Sequence, residues 1–136
     1  MSLTDTYKVN RYSLDKEFIA GGKLTVIDKG QKTELFYKDA EVEVQASALH
    51  HPIVALEDLR KELEVKHNSV LGINGCRIDT GLQTSGSFGC YLVEEGIKAT
   101  ENVHMFEPTT EVKKLCTVRQ HESAYDKWLQ SVIPKP

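Results

Sequence analysis

The stretch that decides the fold reads Ser69-Val70-Leu71-Gly72-Ile73-Asn74-Gly75-Cys76-Arg77-Ile78-Asp79-Thr80. Asn-Gly between two apolar-alternating arms is the strongest short hairpin signal, because both residues tolerate the positive φ that a two-residue turn demands. Such a turn sets Ile73 opposite Cys76, Leu71 opposite Ile78, Gly72 opposite Arg77 and Val70 opposite Asp79. The expected ribbon turns Leu71, Ile73, Cys76 and Ile78 to the core, and Arg77 and Asp79 to the other face.

Upstream, Leu56, Leu59 and Leu63 recur at i, i+3 and i+7 behind Pro52, while Glu57–Lys61 and Glu62–Lys66 stand four apart in the favourable order. The spacing predicts an amphipathic helix that ends near His67-Asn68. Residues 41–47 alternate, with Val42, Val44 and Ala46 on one side and Glu41, Glu43 and Gln45 on the other, which is a strand with one wet face. Residues 23–28 and 33–38 are β-rich arms around Asp28-Lys29-Gly30 and read as a hairpin. Residues 7–13 form a first strand, and Gly21-Gly22 is expected to break the chain.

Downstream, residues 80–87 are polar and glycine-bearing and are expected to be a loop. Residues 88–94 and 103–106 read as strands of a second hairpin, whereas 109–116 fit either a strand or an early helical turn. Thr117 and Gln120 have capping-box spacing, and Val118, His121, Tyr125, Trp128, Leu129 and Val132 fall on one helical stripe that Pro134 ends. The order predicts a single α+β domain over residues 1–136: a mostly antiparallel sheet of six or seven short strands with two helices packed on one face. Because the first helix crosses between two strands, the pattern admits one parallel pair.

A chain of 136 residues, 40% apolar and 27% charged, is one domain's worth and can bury a core without disulfides or metal. The net charge of −3 gives no global positive field for a phosphate backbone. No apolar run approaches the roughly 18–20 residues of a membrane span. Neither nucleic acid nor membrane is therefore an expected partner. Cys76, Cys90 and Cys116 are an odd set without close pairs, which fits reduced thiols. With no signal-peptide pattern at the N-terminus, the expected location is cytoplasmic.

The familiar cofactor and metal motifs are absent: no G-x-G-x-x-G, no phosphate-binding loop, no C-x-x-C, no calcium loop. Neither cofactor nor metal is expected. His121-Glu122 lacks the second histidine of a zinc-protease helix, and the adjacent His50 and His51 point apart on an extended segment. Cys76 beside Arg77 has the neighbour of a nucleophile, but the hairpin register buries it, and Cys90 alternates with Phe88 and Leu92 in the same way. Asp79-Thr80-Gly81 is similar to the tripeptide of retroviral-type aspartic proteases, in which two such aspartates from two subunits share a proton. Here Arg77 and Leu82 depart from that family's apolar and small flanks.

What remains is a constellation: Arg77 and Asp79 on one ribbon face, with Thr80, Gly81, Ser85 and Ser87 in the loop beside them. Opposite Gly72, the Arg77 guanidinium stands uncrowded and can take an anion, a carboxylate or a partner's surface. Paired with Asp79, it is an ordinary surface ion pair. The leading expectation is a small non-enzymatic protein–protein interaction module, an assembly subunit or immunity-like binder, that uses a strand edge or the hairpin and its loop on another protein or a second copy. The alternative is a small-molecule or anion-binding enzyme or sensor with its site at 76–88 and a contribution from His104. A structural homodimer joined edge to edge is the third reading.

Overall fold

The computed structural model describes residues 3–85, 88–99 and 101–133. Within them the chain is an α+β fold with two antiparallel sheets and two helices. Strands β1 (Leu3–Ser13), β2 (Phe18–Asp28), β3 (Lys32–Lys38) and β4 (Glu43–Leu49) form a meander. The β2–β3 turn follows the chemistry of Asp28-Lys29-Gly30: Gly30 adopts φ +82° and donates its N–H to Asp28 Oδ1 at 2.8 Å. Alternation then turns Leu24, Val26, Leu35, Tyr37 and Val44 inward.

Helix α1 (Pro52–His67) carries the chain from β4 at one edge to β5 (Ser69–Leu71) at the other, giving the order β4-β3-β2-β1-β5. Pro52 sits in the first turn, where its missing N–H costs nothing, and Asn68 ends the helix in the left-handed region with its N–H on Leu63 O. Leu56, Leu59 and Leu63 have no exposed surface, so each contributes about 2 kcal/mol by leaving water. Every ladder among the described residues is antiparallel, including β1–β5, so the parallel pair that the crossover admitted is not formed.

Gly21-Gly22 does not break the chain but lies inside β2, where Gly22 pairs with Val9. A Cβ at Gly22 would meet Lys38 O at 2.5 Å and Tyr37 Oη at 2.6 Å, so the bare backbone is what lets the buried Tyr37 ring lie across the strand.

The decisive stretch also folds differently from its reading. Asn74–Cys76 is a single 3₁₀ turn, and neither Asn74 nor Gly75 takes the positive φ of a hairpin turn. The backbone of these residues bonds to distant segments instead: Asn74 N–H to Glu107 O, Gly75 N–H to Met105 O, Ile78 N–H to Lys114 O. Ile73 bridges Pro108, Arg77 bridges Leu115, and Leu71 and Val70 pair with Arg11 and Tyr12 of β1, so no ladder joins the two arms of the expected hairpin. Cys76 is buried nonetheless, while Ile78, expected in the core, is 40% exposed.

Strands β6 (Thr80–Ser85), β7 (Gly89–Leu92) and β8 (Asn102–His104) form the second sheet. Residues 80–85, expected as loop, are strand because their backbone pairs with β7, with a register slip between Thr80 and Thr84. The ambiguous 109–116 stretch holds a 3₁₀ turn at Val112–Lys114. Helix α2 (Val118–Val132) opens with the expected capping box: Thr117 Oγ1 accepts from Gln120 N–H at 3.2 Å and Gln120 Oε1 from Thr117 N–H at 3.0 Å. Pro134 lies outside the described residues. One hydrophobic cluster joins the layers, with Cys90, Met105 and Phe106 packed into the same core as the leucines of α1. No helix among the described residues is long and apolar enough to cross a membrane.

Candidate functional site

Arg77 leaves the 3₁₀ turn in extended backbone and opens a tight turn over residues 78–79, closed by Thr80 N–H on Arg77 O at 3.3 Å, which brings Asp79 beside Arg77. They close a two-pronged ion pair, Nε to Oδ1 at 2.8 Å and Nη2 to Oδ2 at 2.7 Å, and Lys114 Nζ adds a third contact to Oδ2 at 3.1 Å. Desolvation raises the Asp79 carboxyl pKa, but the bonds from Arg77 and Lys114 outweigh it and hold the group below its ordinary value. A carboxylate clamped by two cations is not poised to share a proton across a subunit boundary.

This pair lines an open cleft of ≈ 620 Å³, together with Lys98, Glu94 and Glu101. A second hollow of ≈ 350 Å³ adjoins it and is lined by Gly81, Tyr91, Tyr125, Trp128, Leu129 and Val132. Val93, Lys98 and Ala99 line both. The second hollow exists because the apolar stripe of α2 is buried only at its start: Val118 and His121 are buried, whereas Tyr125, Trp128, Leu129 and Val132 remain half-buried. Trp128 Nε1 donates to Ile97 O at 2.9 Å and Gly96 N–H to Ser131 Oγ at 2.8 Å, which pins the turn after β7 to the helix.

Of the remaining expected site residues, Thr80 is buried beneath the pair, with its hydroxyl on Arg77 O at 2.8 Å. Gly81 lines the apolar hollow. The Ser85 backbone ends β6, pairing with Gly89, and Ser87 lies outside the described residues. His104 is not at this cleft: it packs with Phe88 and Phe106 and lies 3.4 Å from Tyr7 Oη.

The nucleophile candidates are all consumed by packing. Cys76, Cys90 and Cys116 are buried, and burial raises each thiol, Cys90 and Cys116 to about 11. Sequence reasoning missed a polar junction in the interior. Arg60, 2% exposed, donates to Gly75 O, Cys116 O and His121 Nδ1. Desolvation and the Arg60 charge lower His121 to about 4. Among the described residues no metal-ligating cluster forms.

Sequence reasoning also missed the outer face of the five-stranded sheet. Register sets Lys8 opposite Lys23, Lys23 opposite Lys38 and Lys38 opposite Glu43, one row across four strands. The next row is Thr6, Thr25, Phe36 and Gln45. The three lysines are exposed, Phe36 is 37% exposed, and no carboxylate among the described residues pairs with any of the three. The Asp28–Gly30 turn was a usable signal for half of this row, since a hairpin pairing Asp28 with Thr33 also pairs Lys23 with Lys38. Compared with known proteins, the chain matches no family model, no curated protein and no solved structure.

Proposed function

We propose that this protein is a non-catalytic protein-binding module that docks its partner on the outer face of the five-stranded sheet. One observation carries the reading: α1 covers the inner face, while Thr4, Thr6, Lys8, Asn10, Lys23 and Phe36 stand exposed on the other, around a partly apolar centre. Sheets of this class bury both faces or leave one to solvent or a partner, and an exposed aromatic amid hydroxyls and amides is the composition of a binding anchor. The test compares proteins retained from the source cells by the tagged chain and by its Phe36→Ser variant. At least one stoichiometric partner is expected to be lost with Phe36→Ser and kept by Arg77→Met. Identical retention by all three chains would dispose of this face as the docking surface.

A specific observation also favours a small-molecule reading, at the junction of the charged cleft and the aromatic hollow. A ligand with an apolar body and one charged end fits walls that change from Tyr125 and Trp128 to Lys98 and the Arg77–Asp79 pair within one groove. Trp128 is the only tryptophan of the chain, so its fluorescence reports the hollow directly. A saturable change with an aromatic carboxylate such as indole-3-acetate is the expected signature. A flat response across aromatic acids and amines would exclude it.

A further inference from the structure

We infer that the sheet face is built for an acidic helix of a partner protein, laid across the strands so that three carboxylates meet Lys8, Lys23 and Lys38. The inference rests on the proposed docking face and adds the chemistry of what it binds. Strands lie about 4.8 Å apart, so three lysines in register span about 10 Å. Like charges placed directly opposite destabilise a sheet, and here two such pairs follow one another, Lys8–Lys23 and Lys23–Lys38; Glu43 stands opposite Lys38 at the end of the row, and among the described residues none of the three lysines closes an ion pair. A helix bearing Glu or Asp at i, i+4 and i+7 presents carboxylates about 5–6 Å apart, which matches that spacing. The neighbouring Thr6, Thr25 and Phe36 row supplies a surface for the apolar flank of the same helix.

The dimensions of the row disfavour two other occupants. It is bounded by Glu43, opposite Lys38, and Glu34 lies on the same face two residues before Phe36, where Lys29 and Lys32 already pair with it. A nucleic acid gains affinity with each phosphate that Lys or Arg neutralises, and an extended polyanion would leave this row of three lysines and meet carboxylates. A second copy docked symmetrically with its two-fold axis through this row would set one lysine row against the other.

The test uses the full chain and a fluorescein-labelled, alanine-based helical peptide with Glu at i, i+4 and i+7, alongside a peptide of the same composition with the glutamates scattered around the helix. Anisotropy is expected to show saturable binding of the striped peptide, at least tenfold weaker with the scattered one. A K8E/K23E/K38E triple reversal is expected to weaken it at least tenfold more, with K23E alone costing several-fold. The triple Lys→Gln variant, checked for unchanged circular dichroism, separates lost charge from lost fold. Equal binding of both peptides, tighter binding of a duplex DNA of equal charge, or indifference to the reversal would overturn the acidic-helix inference. If cellular partners lost with Phe36→Ser are kept by the reversed chain, the docking face stands and the acidic helix falls; if neither change loses a partner, the docking face falls as well.

Discussion

Arg60 Nη1 donates to His121 Nδ1 across 2.9 Å in the interior, so two groups that both accept positive charge in water meet with only one of them charged. The contact fixes the imidazole: Nδ1 accepts, and Nε2 keeps the proton and donates to Thr80 O at 2.7 Å. Four segments converge on this pair: α1 with Arg60, α2 with His121, the 3₁₀ turn with Gly75 O, and Cys116 O ahead of α2. The interaction therefore locks the second sheet and α2 onto the first layer, and it makes the docking of the two layers sensitive to proton concentration.

That sensitivity has a sign. Desolvation and Arg60 lower the folded His121 pKa from 6.5 to about 4. Between those values the unfolded chain takes up a proton that the folded chain refuses, so stability is full above pH 6.5 and falls as pH drops toward 4, by about 3 kcal/mol in all. Urea midpoints measured from pH 7.5 to 4.5 are expected to decline across that window, and His121→Gln to flatten the decline. A midpoint independent of pH there would show that the imidazole is not held neutral.

Arg60→Met removes the donor to three buried acceptors at once. Unpaired carbonyls at Gly75 and Cys116 and an unpaired Nδ1 at His121 are expected to cost about 3 kcal/mol in chemical denaturation. The same change removes a neighbouring cation, so the His121 titration followed by NMR is expected to move up from its depressed position. A stable variant with an unmoved His121 would mean the guanidinium contributes little to either.

What the sequence made legible was local. The leucine spacing of α1, the Asn68 stop and the Thr117–Gln120 cap each depend on residues within a turn or two, and each is present. Asn74-Gly75 misled because its backbone partners, Met105 and Glu107, lie about thirty residues away, and their hydrogen bonds outweighed the local turn preference. The conclusion drawn from that turn survived by another route: Cys76 is inside because its segment is wedged under α1, where a Cβ on Gly75 would meet Leu56 Cδ2 at 2.5 Å. Arg60 was invisible as a buried cation because it sits on the helix beside Leu59 and reads as part of the wet face. The lysine row, spread over three strands, appears only when two registers are combined.

Burial of all three thiols gives a kinetic prediction. A thiol desolvated until its pKa reaches about 11, as for Cys90 and Cys116, presents almost no thiolate at pH 8 and no path to reagent. Labelling by an aromatic disulfide reagent is expected to be slow in buffer, with all three cysteines reacting together at the rate of unfolding, and fast in denaturant. One cysteine reacting quickly in the native state would reveal an opening of its layer and return it to consideration as a functional group.

The two roles open to Arg77 make opposite demands. Side-chain exposures of 12% for Arg77 and 24% for Asp79 place the pair between surface and interior, and its two short bonds are of the charge-assisted, bidentate kind. Exposed pairs contribute little, so this one is expected to show a coupling of about 1 kcal/mol in a double-mutant cycle of Arg77→Met and Asp79→Asn. As a brace, Arg77 fixes the Asp79 carboxylate that Lys114, before α2, also meets; Arg77→Met then lowers stability and leaves Trp128 fluorescence titrations unchanged. As a ligand-binding residue, it would have to exchange Asp79 for the ligand, and Arg77→Met would abolish the titration while Asp79→Asn, by freeing the guanidinium, would tighten it. Running both variants through unfolding and titration separates the brace from the binding group, since no single outcome satisfies both.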